Sequence, residues 1–76
     1  MKITGTKSHL RVEIGKKTLI IKGELTSTPA FYADKNSIIN WEPPHEVEKI
    51  TIEEKENIIR DILEETKSLK FEIIFE

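Results

Sequence analysis

Two adjacent prolines, Pro43 and Pro44, constrain this chain more than any other feature. Neither can donate a backbone hydrogen bond, so no sheet ladder and no helix interior runs through them. They follow the only tryptophan, Trp41, and they divide the chain into unlike parts. Residues 1–41 carry seven Lys/Arg against three Asp/Glu, a balance of +4, and alternate apolar with polar side chains. Residues 42–76 carry five against eleven, a balance of −6, and contain one stretch of helical periodicity. The expectation is a strand-rich basic half, a rigid Trp41-Glu42-Pro43-Pro44 corner, and an acidic half built around a helix.

Within the first half, Leu10, Val12 and Ile14 alternate with Arg11 and Glu13, the period of a half-buried strand. Gly15-Lys16-Lys17 is a turn signal, and Thr18 to Glu24 forms the returning strand of an antiparallel hairpin. Ile3 begins a short edge strand ahead of it. Residues 25–30 are turn-like. Phe31-Tyr32-Ala33 reads as a third strand, Asp34 to Ser37 as a turn, and Ile38 to Glu42 as a fourth strand ended by the prolines.

Thr51-Ile52-Glu53-Glu54 has the spacing of a capping box, in which the Thr hydroxyl and the Glu carboxylate each accept from the other residue's backbone N–H. The acids at 53, 54 and 56 complement the positive end of the helix dipole. Ile58, Ile59, Ile62, Leu63 and Thr66 make one apolar stripe, so a helix is expected over about 52–67. Phe71, Ile73 and Phe75 alternate with Glu72, Ile74 and Glu76 in a closing strand. Its two apolar faces suit a central place in the sheet. The resulting fold class is α+β: a single small domain over residues 1–76, with a mostly antiparallel sheet of four to five strands and one helix packed across it, in the order β-β-β-β-α-β.

Several chemistries are excluded or disfavoured. There is no cysteine, which removes disulfides, thiolate catalysis and Cys-type zinc sites. His9 and His45 lack the spacing that brings two rings to one metal, so no metal and no cofactor are expected. Ser8 adjoins His9, but neighbours on a strand point to opposite faces, which argues against a catalytic dyad. Gly5, Gly15 and Gly23 are too scattered for a phosphate loop. No convergent catalytic site remains, and an enzyme is the least fitting class. The basic N-terminal hairpin (Lys2, Lys7, Arg11, Lys16, Lys17, Lys22) has no interleaved stacking aromatics, which argues against nucleic-acid binding. No stretch reaches the ~20 apolar residues of a membrane span. The opening residues lack the apolar core of a signal peptide, so the expected location is cytoplasmic.

What remains is a binding surface. From Glu42 to Glu65 there are nine acids against three bases. Acidic density of this kind attracts a basic partner and speeds association. Nucleases are basic because they hold phosphates, so an acidic small protein is suited to cover one. The residues singled out for partner binding are Tyr32, Trp41, Glu42, Pro43, Pro44, His45, Glu46 and Glu48. Trp41 has two readings, a core anchor or an interface anchor. The opposite charges of the two halves also make a homodimer worth considering.

Several of these segments match one known family. The opening KITG, the strands RVEI-G-K-TLII-GEL, the WEPP corner at 41–44, the helix I-T-EEK--II--ILEET and the closing F-I-FE together resemble a small family of bacterial immunity proteins. That family is numbered seventy-four among those of polymorphic toxin and contact-dependent inhibition systems. The resemblance runs over essentially the whole chain, and its specific part is WEPP followed by the capped EEK helix. It implies a non-enzymatic protein that binds the C-terminal domain of a cognate toxin and blocks it, with Trp41, Glu42, Pro43 and Pro44 as the matching motif. The competing reading is a small dimeric adaptor acting through protein–protein contacts.

Overall fold

Alternation in the first half builds a sheet. A computed structural model describes residues 1–69 and 72–76. Strand β1 is Lys2–Gly5, β2 is His9–Ile14 and β3 is Lys17–Thr26. The turn between β2 and β3 places Gly15 at φ 61, the left-handed region that a glycine enters without steric cost. It occupies the first of two linking positions, as in a II′ hairpin turn. β3 runs two residues beyond the expected Glu24 because its far half pairs with a second partner. Residues 17–22 pair with β2, and residues 23–26 pair with β4, Ala30–Ala33. β3 is thus shared by two antiparallel ladders, and the sheet order is β1-β2-β3-β4-β5.

Gly23 sits at the changeover. A Cβ there would run into the Phe31 ring and the Tyr32 carbonyl, so only glycine lets β4 approach this closely.

Helix α1, Ile52–Thr66, has the expected capping box: the Thr51 hydroxyl accepts from Glu54 N at 3.1 Å, and Glu54 Oε1 accepts from Thr51 N at 3.1 Å. Ile58, Ile62 and Thr66, spaced by four, are the residues it buries. Ile59 is half-buried, and Leu63 is exposed rather than part of the stripe. The three buried residues already fill the line of contact, and Leu63 is turned about 100° away from Ile62. The helix lies on the face that carries Leu10, Val12, Leu19, Ile21, Phe31 and Ile73, and these close one core with Ile38 and Trp41.

The α+β class and the order β-β-β-β-α-β hold, with three antiparallel pairs and one parallel pair. The expected short edge strand at Ile3 is present as β1 at the rim of the sheet. The segment 38–42, expected as a strand, is not one. There, only Asn40 makes an isolated bridge, to Lys49. Ile38 and Trp41 are the buried pair in that stretch, three residues apart, whereas a strand buries residues two apart. The chain instead runs beside the free edge of β3 through single tethers: Asp34 N to Lys22 O at 2.7 Å, Lys22 N to Ser37 Oγ at 3.0 Å, and Glu42 N to Thr18 O at 2.7 Å.

The closing strand β5, Glu72–Phe75, is outermost and not central. It runs parallel to β4, which requires the crossover that the helix supplies. Its two apolar faces have another origin: Ile73 and Phe75 pack on the core, while Ile74 lies beside Tyr32 in register. Phe71, expected to open this strand, lies outside the described residues.

Candidate protein-binding surface

The corner at residues 41–44 grows out of the core. Trp41 is 5% exposed and belongs to the buried cluster. Lys17 Nζ stands 5.4 Å above its ring centroid and also donates to Glu48 Oε1 at 2.9 Å. The chain then leaves the core through two consecutive turns. His45 N donates to Glu42 O at 3.0 Å, across a cis Pro43–Pro44 peptide, and Glu48 N donates to His45 O at 3.0 Å. The ends of the excursion are held together. Asn40 bridges to Lys49, Ile50 N donates to Ile39 O at 2.9 Å, and Asn40 Nδ2 reaches into the loop to Glu46 O at 3.1 Å. Residues 40–49 therefore form a compact loop whose base is closed and whose turns are internally bonded.

Glu42, Pro43, Pro44, Glu46 and Glu48 are exposed on this loop, and His45 is half-buried. The His45 Nδ1 atom is buried without a hydrogen-bond partner. The hydrogen bond from the Lys17 ammonium holds the Glu48 carboxyl below the usual 4.5, against desolvation that raises it; the charges of Lys17 and His45 add in the lowering direction. Among the described residues, Glu48 is the only one of the three loop acids in an ion pair. Glu42 and Glu46 are exposed and have no ion-pair partner among the described residues.

Tyr32 is placed elsewhere. It is 37% exposed on the helix-free face of β4, between Glu24 and Ile74 in register. The loop is tethered at Thr18, six residues up β3 from Glu24, or about 20 Å along an extended strand. Of the eight expected partner-binding residues, the structure gathers seven at the corner and loop, one of them (Trp41) buried beneath it, and leaves Tyr32 apart.

Residues 2–76 match the family model for Immunity protein 74. The chain belongs to the Immunity protein 74 family. No curated protein and no solved structure gives a match. Membership makes the chain an immunity protein, a class that acts by binding a toxin. For an Immunity protein 74 chain, a surface loop built from the WEPP corner is therefore to be read as a candidate contact before it is read as a catalytic element.

Ser8 Oγ and His9 Nδ1 do meet, at 2.9 Å, contrary to the strand-alternation argument. Ser8 precedes β2, so alternation does not govern it. Both residues are exposed, and no carboxylate orients the imidazole among the described hydrogen bonds. Among the described residues no group of three His, Asp or Glu converges as a metal site, and no helix is long and apolar enough to cross a membrane.

Three exposed apolar residues around the loop were not singled out from the sequence. Val47 is exposed on it, while Ile39 and Ile52 flank its closed base along the chain. Their signal in the sequence is weak, since Ile39 falls in a stretch that reads as a strand and Ile52 at a helix start. Val47 sits between two acids in a stretch without periodicity.

Proposed function

We propose that this immunity protein neutralises a nuclease toxin of a polymorphic or contact-dependent inhibition system, in the cytoplasm and without chemistry of its own. The protein covers the toxin's active or substrate-binding surface with the acidic loop Glu42–Glu48. The observation that carries this reading is a closed, internally bonded loop with Glu42 and Glu46 solvated on it and Glu48 pinned beside them by Lys17. A loop already held in shape loses little conformational freedom on binding. Carboxylates on its rim steer a phosphate-binding, and therefore basic, surface towards it.

The test is the affinity for the C-terminal toxin domain encoded immediately upstream, measured over a range of salt concentrations. Glu42→Lys with Glu46→Lys, with and without Glu48→Lys, lowers affinity by about tenfold or more, mostly through the association rate, and flattens its salt dependence. Unchanged affinity and unchanged salt dependence would discard the acidic-loop mechanism.

A further inference from the structure

The most exposed large apolar side chains of the described residues are Val47 at 86%, Ile52 at 78% and Ile39 at 56%; the others are all below half. Single exposed apolar residues are ordinary on a protein surface. Here the three most exposed fall within one fourteen-residue segment, and that segment is folded back on itself. The Ile50 N–Ile39 O bond and the Asn40–Lys49 bridge close its base, so Ile39 and Ile52 flank the foot of the loop that carries Val47. None of the three belongs to the core cluster, although their neighbours Ile38, Trp41 and Ile50 do or pack against it. Apolar area left in water gives the chain's own fold no hydrophobic gain. A concentration of such area marks a contact surface.

Charge identifies the occupant. Residues 39–54 hold five carboxylates (Glu42, Glu46, Glu48, Glu53, Glu54) against a single lysine, Lys49, a balance of −4 in a chain whose net charge is −2. Val47 stands between Glu46 and Glu48, and Glu53 and Glu54 follow Ile52 directly, so exposed apolar side chains and carboxylates share this segment. This matches the general anatomy of a protein interface, an apolar centre that excludes water and a polar border that sets register.

We propose that Val47, with Ile39 and Ile52, is the apolar centre of the toxin contact, and that the partner is a protein surface with a small apolar pocket bordered by lysine and arginine. This rests on the reading that the loop binds a toxin, and it adds where the lasting affinity resides. The acids govern how fast the complex forms, and Val47 governs how slowly it separates.

The two roles separate in one experiment. Wild type, Val47→Ser, Ile52→Ser and the Glu42→Lys/Glu46→Lys pair are compared on the immobilised toxin domain encoded immediately upstream, at two salt concentrations. Circular dichroism melts check the fold, which exposed positions leave intact. Val47→Ser raises the dissociation rate about tenfold or more while the association rate and the salt slope stay as in wild type. Ile52→Ser acts in the same direction with a smaller effect. If both serine variants dissociate at the wild-type rate while the lysine pair weakens binding, the apolar centre is wrong and the acidic-loop reading stands. If the serine variants weaken binding and the lysine pair does not, the apolar centre stands and the acidic steering falls. If wild type does not bind, both are overturned. A wild-type protein that sediments as a dimer, split by Val47→Ser, assigns the patch to a second copy of the chain and overturns the proposal.

Discussion

Trp41 carries the weight of the corner by sitting under it. At 5% exposure, in contact with the core and covered by the Lys17 ammonium, it is a packing residue. Trp41→Ala removes a large buried side chain, with an expected cost of about 3–5 kcal/mol. A domain of this length is held by roughly 4–11 kcal/mol in total, so the variant loses a large share of its stability. Urea denaturation measures this directly, and a midpoint near wild type would show that the ring is dispensable to the fold. Lys17 links the core to the loop a second way, through Glu48. The folded-state pKa of Glu48 is depressed, so this contribution is complete above the ordinary value of 4.5 and is lost as pH falls through the lower folded value. In Lys17→Met the Glu48 titration, followed by NMR, moves back up towards 4.5. A midpoint that does not move would show that the pairing in this geometry does not persist in solution. The Trp41-Glu42-Pro43-Pro44 corner was legible from residue chemistry, and the burial of its tryptophan was one of two readings that the sequence left open. That burial depends on Lys17, Ile38 and Trp41 converging in space, and nothing local in the sequence encodes such convergence.

At the scale of elements, what was read correctly was local. Helix α1 was visible because its start is written within four residues and its buried face within nine. Thr51→Ala removes the hydroxyl that accepts from Glu54 N and is expected to cost about 1 kcal/mol. A thermal melt showing no loss would mean that water caps the helix equally well. The hairpin β2–β3 was visible for the same reason, through alternation and a glycine turn. The segment 38–42 was misread because two isoleucines and a tryptophan resemble a strand when their partner is unknown. Its true neighbour is the edge of β3, some twenty residues earlier, reached by single hydrogen bonds and not by a ladder. The place of β5 was misread for a related reason. Apolar residues on both faces do not fix a strand's place in the sheet order: Ile73 packs on the core, and on the other face Ile74 lies beside Tyr32 of the neighbouring strand. The need for glycine at position 23 is not local either, because it comes from the close approach of β4. Gly23→Ala forces β4 away from β3 and is expected to destabilise the protein by more than the same change at an open position, as a denaturant titration would show.

For the whole molecule, the question is whether one chain suffices. Phe31, Leu19, Ile21, Ile62 and Val12 are essentially inaccessible within a single copy, so these core residues need no second one to be buried. The opposite charges of the two halves make a homodimer worth considering, and burial within one copy makes a chain that folds alone the expectation to test. This yields a thermodynamic expectation. If folding requires no second copy, the melting temperature stays constant as protein concentration is varied a hundredfold; an obligate dimer melts higher as it is concentrated. Binding of a toxin acts through mass action instead. Toxin domain at about a thousand times its dissociation constant adds about 4 kcal/mol of stability. In a domain of this size each kcal/mol moves the melting temperature by roughly 4–8 °C, so a rise of about 15–30 °C is expected. Calorimetry with and without the toxin domain, at two protein concentrations, thus separates the readings. A large rise with toxin and no dependence on concentration fits an immunity protein that folds alone and binds through its loop. A concentration-dependent transition with no response to toxin fits the dimeric adaptor, and the acidic loop would then need another partner.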